Sequence, residues 1–186
     1  FMFDCFWKQN VNFLEVLFSK YFIVNPNYKE EWNQLLGLRE RIAHYNNWYA
    51  VKCMYGMATE KYYALEKLYP SQMEVVKKYG YSGKQLHHLM RMVNFATAYS
   101  NECSFEECLT YFSVYGKDTL MAAKRQEFSL ESARHLAEVC MEQMEELYDK
   151  YVLLNPHKID EQVKAETDEL LCKLLRKNFL NQLKNK

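Results

Sequence analysis

Apolar residues recur along this chain at intervals of three and four, the period of amphipathic helices rather than of strands. Over residues 4–24, Phe6, Phe13, Leu14, Leu17, Phe18 and Tyr21 keep that spacing until Asn25-Pro26-Asn27 breaks it. Trp32, Leu35, Leu36, Leu38 and Ile42 predict a helix over 28–45, with Gly37 as its weak point. Asn46-Asn47 reads as a turn. A long helix over 48–69 follows, carried by Val51, Tyr55, Ala58, Tyr62, Leu65 and Leu68 and ended by Pro70-Ser71.

Three Ser-x-x-Glu/Gln patterns predict capping boxes. Ser71 with Glu74 would open a helix over 72–79, which Gly80 stops. Ser82 with Gln85 would open one reaching Ser100, and Ser104 with Glu107 one over 105–115. Gly116-Lys117-Asp118 is a turn, 118–126 is helical, and Ser129 caps a long helix over 130–151. After Asn155-Pro156 a last helix runs over 159–183, its acids early (Asp160, Glu161, Glu166, Asp168, Glu169) and its bases late (Lys173, Arg176, Lys177, Lys184). The helix macrodipole favours that order, and a nucleic-acid-binding tail is the weaker reading of the basic end. Only the first three residues read as a strand. The expectation is an all-α chain: a helical bundle or array of about seven or eight helices in one domain of 186 residues.

Composition narrows the function classes. Lys plus Arg and Asp plus Glu both number 24, so bulk charge predicts neither nucleic-acid nor membrane binding, and any anion binding must be local. The six Cys (Cys5, Cys53, Cys103, Cys108, Cys140, Cys172) form no CxxC pair and do not join the His in zinc spacing, so they read as buried structural thiols. With no signal peptide and no apolar run near eighteen residues, a cytoplasmic chain with no membrane contact is expected. The opening FMFDCFWKQN places apolar side chains where a polar leader would stand. It reads as the middle of an element, so the chain is expected to be the C-terminal part of a longer protein.

No phosphate loop, HExxH, GxSxG or DxD motif is present, and Glu106-Glu107 and Glu145-Glu146 read as solvated faces. The stretch that stands out is 81–100. Leu86, Leu89, Met90, Val93 and Ala96 share one face of its helix; Lys84, His88 and Arg91 share the opposite one. No carboxylate lies between Tyr81 and Ser100, and His87, Asn94, Tyr81 and Phe95 flank the cations. Three such groups in one stripe suit a phosphate: Arg gives paired hydrogen bonds, Lys a point charge, and His a donor. The alternative is that Lys84 and Arg91 pair with carboxylates of neighbouring helices while His88 packs among aromatics.

The motif Y-x-G-K-Q-L-H-H-L-M-R-M at 81–92 resembles a signature of nucleotidyltransferases of the DNA polymerase beta superfamily, in which a Lys, a His four later and an Arg three later recur on one helix. KQNVNFLEVLF at 8–18 is similar to that family's N-x-N-x-x-E-x-L-F segment after the catalytic sheet. LMAAKRQEFSLESA at 120–133 resembles its downstream L-x-x-x-K-x-x-x-x-S-x-E-x-A segment, which makes Lys124 a recurrent cation. The resemblance implies a parent protein that transfers a nucleotidyl group from an NTP with two Mg2+ ions. This chain would then contribute a cationic face of Lys84, His88, Arg91, Lys124 and Tyr81 to the triphosphate or the acceptor. Asn10, Asn12 and Glu15 would fix the junction between domains.

The family's Gly-Ser and paired aspartates have no counterpart here, so no catalytic residue and no metal ligand is expected in this chain. Asp4 is read as a cap of the first helix. Two other function classes stay open: a non-catalytic helical interaction or oligomerisation module, and a nucleic-acid binder stacking bases on Tyr81 and Phe95.

Overall fold

The computed structural model describes residues 2–154 and 156–184, and it is all-α: no strand occurs among the described residues. Eleven α-helices are described, of which α1 (Met2–Trp7), α2 (Val11–Leu14), α4 (Arg39–Ala43) and α8 (Phe105–Leu109) are pieces of six residues or fewer. The longer ones are α3 (Lys29–Gly37), α5 (Asn47–Tyr63), α6 (Met73–Tyr79), α7 (Gly83–Ser100), α9 (Lys117–Lys124), α10 (Leu130–Leu154) and α11 (Glu161–Lys184). The chain packs as two compact units, Phe1–Ala50 with His157–Lys186 and Val51–Pro156.

The first unit departs most from the periodicity. Helix was expected without a break over 4–24, but α1 stops at Trp7 because Gln9 takes a left-handed φ of 48°. The Gln9 side chain is buried, donating from Nε2 to the carbonyls of Phe6 (2.8 Å) and Ile42 (3.0 Å). One side chain therefore closes two helix ends, and that gain outweighs continuing the helix. Asn10 then caps α2 by accepting from the Asn12 amide, a 3-10 turn covers Glu15–Phe18, and the chain runs without regular structure to Asn25. Asp4, expected to cap α1, lies within its first turn. Of the expected strand, Phe1 lies outside the described residues and Met2 begins the helix; Asn155 of the expected Asn155-Pro156 break also lies outside them.

Within this unit, Arg41 of α4 joins α11 by bonding both Asp160 and Glu166, at 3.2 and 3.0 Å. Lys177 of α11 reaches Glu31 of α3 at 2.7 Å.

In the second unit α7 is the central element, packed by α8, α9 and α10. The five residues of its expected apolar face are all buried, and so are Asn94, Phe95, Ala98 and Tyr99. Across this unit Tyr55 of α5 stacks on Tyr148 of α10 with ring centroids 5.0 Å apart. Arg134 of α10 makes a two-bonded pair with Glu66 at 2.7 Å. Of the three expected capping boxes only Ser104–Glu107 forms. Ser82 spends its amide on the Leu65 carbonyl (2.7 Å) and its hydroxyl on Gln72 (2.9 Å), so it makes no side-chain cap for α7. Gln72, drawn to Ser82, takes the start of α6 in place of Ser71. The helix expected over 105–115 ends at Leu109. The following loop is held by the Asn94 amide group, which accepts from the Val114 and Tyr115 amides and donates to the Tyr115 carbonyl.

Candidate anion-binding face

Gly83 decides where α7 begins. A Cβ there would stand 2.1 Å from the Ala123 carbonyl oxygen, so only glycine lets the first turn of α7 meet the last turn of α9. Gln126, with a positive φ of 64°, locks the joint by donating from Nε2 to the Tyr81 carbonyl. The Tyr81 hydroxyl donates to the Phe128 carbonyl at 3.0 Å. The stretches 81–92 and 120–133, distant in sequence, are thus pinned together, and Lys124 sits next to the residue that touches Gly83. The N-terminus of α7 is filled by this joint. Anion binding at this helix rests on side chains rather than on its free amides.

The proposed cations lie on the outer side of that joint. Lys84 and Lys124 are exposed, while His87, His88 and Arg91 are half-buried. No ion pair ties Lys84 or Lys124 to a carboxylate among the described residues, whereas Arg41, Arg134 and Lys177 all have one. The His87 and His88 rings meet edge to face with centroids 5.5 Å apart. Burial first, then His87, Lys61, Lys84 and Arg91, push the His88 imidazole down to about 4. Burial, then Lys124 and Arg91, lower His87 as well. Both rings are neutral at pH 7, and the charges bearing on them are cationic. Lys124 of α9 therefore lies near enough to His87 for its charge to bear on the ring. Lys61 of α5, itself paired with Glu60 at 2.8 Å, is a further cation that the spacing within 81–100 could not show, because it comes from another helix. His87, placed in the sequence only as a flank, belongs to the cluster.

Tyr81 and Phe95 are placed differently. Tyr81 is wholly buried and Phe95 nearly so, its ring packed edge to face on Phe105 at 5.0 Å. Neither offers a ring face for base stacking. Tyr81 is a strut beneath the cationic row, and burial raises its phenol above the ordinary range.

The remaining chemistry-bearing groups are accounted for structurally. Burial pushes the Cys140 thiol up to about 11, and Cys140 lies 3.3 Å from the Tyr115 hydroxyl, so it is a protonated core residue and no nucleophile. The expectation of buried thiols at all six cysteines fits Cys108 and Cys140, whereas Cys5, Cys53 and Cys103 are half-buried and Cys172 is exposed on α11. Among the described residues no three His, Cys, Asp or Glu converge as a group that could hold a metal ion. No described helix is long and apolar enough to cross a membrane.

No family model, curated protein or solved structure matches this chain.

Proposed function

We propose that this chain is the anion-binding helical part of a cytoplasmic nucleotidyltransferase, with Lys84, His88, Arg91 and Lys124 facing the phosphates of an NTP or its acceptor. The observation that carries the reading is a cluster of cations around two neutral imidazoles in which Lys84 and Lys124 meet no carboxylate. Gathering like charges costs stability, and an anionic ligand removes that cost. Lys61 and His87 join the same cluster, and Tyr81 holds it from below. Mg2+ and the transfer chemistry belong with the metal-binding carboxylates of the parent protein, and no chemical step is assigned to this chain. A cytoplasmic setting agrees with six free thiols.

Titrating ATP and inorganic triphosphate into the chain and into the Lys84→Ala/Arg91→Ala variant tests this reading. Binding to the wild type and a loss of about tenfold or more in the variant, at unchanged melting temperature, are expected. Equal binding by both, or binding by neither, removes it.

The second reading, a helical interaction module, is favoured by a different observation: four large apolar side chains of α11 are more than half exposed.

A further inference from the structure

We propose that α11 is a self-association surface through which two copies of this chain pair antiparallel about a two-fold axis. The face of α11 that packs on its own unit carries Val163, Thr167 and Leu170, all buried. On the opposite face Ala165, Asp168, Cys172, Leu175 and Phe179 follow one another at intervals of three and four, the seam of a two-helix coiled coil. Leu175 is 60% exposed, Phe179 62% and Leu183 55%, an apolar ridge uncovered within the chain.

Charge names the occupant. Beside the seam run Glu169 and Arg176, one heptad apart. Both line a groove of about 980 Å³ between α3 and α11, and neither makes an ion pair among the described residues. No acid follows Glu169 in the sequence, while Lys173, Arg176 and Lys177 follow it. Lys173 and Lys177 pair with Glu30 and Glu31 at 3.7 and 2.7 Å, and Arg176 makes no ion pair among the described residues. A parallel pair would set the basic halves against each other. An antiparallel pair sets the acidic half of each helix along the basic half of the other. The register that places Cys172 opposite the other copy's Leu175 brings Glu169 within reach of the other copy's Arg176, twice by symmetry. Phe179 then packs over the turn holding Asp168, whose charge is already engaged by Lys164 at 3.4 Å. A lipid surface would meet the cations well but would be repelled by Glu30 and Glu169 in the same groove.

Sedimentation equilibrium of the 186-residue chain tests the proposal. A dimer is expected. Phe179→Ser should weaken it at least about tenfold, as should Glu169→Arg or Arg176→Glu alone. The double variant Glu169→Arg/Arg176→Glu should restore it, because both new pairs are again opposite in sign. Circular dichroism controls for folding, which these exposed positions should leave intact. Four results overturn the proposal: a monomer at every concentration reached, a dimer indifferent to Phe179→Ser, no restoration by the double reversal, or a monomer that binds phosphatidylserine vesicles through these residues.

Discussion

The helices α7 and α11 are both amphipathic, yet their charges have opposite fates. On α11 the charges that face the fold are answered: Asp160 and Glu166 flank it to meet Arg41, and Lys177 meets Glu31. On α7 the polar row collects cations and neutral histidines, and the carboxylate-free stretch from Tyr81 to Ser100 is joined by Lys124 and by Lys61, the latter paired with Glu60 at 2.8 Å. Paired charge is the mark of structure; Lys84 and Lys124, which pair with no carboxylate among the described residues, are the charges that point to a ligand. The apolar faces are reversed in the same way. That of α7 is enclosed by α8, α9 and α10, while the ridge of α11 is left open.

The comparison breaks first at the joint under α7. Gly83→Val should cost about 3 kcal/mol or more in urea denaturation, since the new Cβ would meet a backbone oxygen with no room to yield. Gly37→Ala, at a helical position with nothing within 4 Å, should be neutral or stabilising by up to about 1 kcal/mol. If the two glycine variants behave alike, the joint does not organise the second unit. A smaller effect sharpens the role of Tyr81. Tyr81→Phe leaves the half-buried Phe128 carbonyl without its donor and should cost about 1 kcal/mol. It should leave triphosphate affinity unchanged at a pH where the variant is fully folded. A large affinity loss at unchanged stability would instead make Tyr81 a ligand-contacting group.

The fold class was legible in the sequence because a 3.6-residue period sustained over long runs has few rival explanations. The buried face of α7 and the Ser104 capping box follow from local pattern, whereas Asn25-Pro26-Asn27, expected to end a helix, opens a 3-10 turn that Asn25 caps. What could not be read locally was decided by single polar side chains with distant partners. Gln9 ends α1 by bonding the Ile42 carbonyl, Ser82 leaves its cap for Gln72 and Leu65, and Asn94 stops α8 by taking up the loop at 114–115. Periodicity treats each of these residues as a neutral position. The same limit holds for the candidate site. The row of Lys84, His88 and Arg91 lies on one helix and could be seen. Lys61 enters from another helix, and Tyr81, which seemed to flank the row, is turned inward beneath it.

The most direct test of the anion face is the titration of His88 followed by NMR, with and without inorganic triphosphate. In the free chain its folded-state proton affinity lies below the ordinary histidine value near 6.5. The stability it lends is therefore present above about pH 6.5 and is lost as the pH falls from there toward 4. A polyanion bound beside it favours the imidazolium. Triphosphate should raise the His88 midpoint from about 4, and binding should tighten between pH 7 and 5 as a proton is taken up. A His88 midpoint that stays where it is when triphosphate is added would contradict the account.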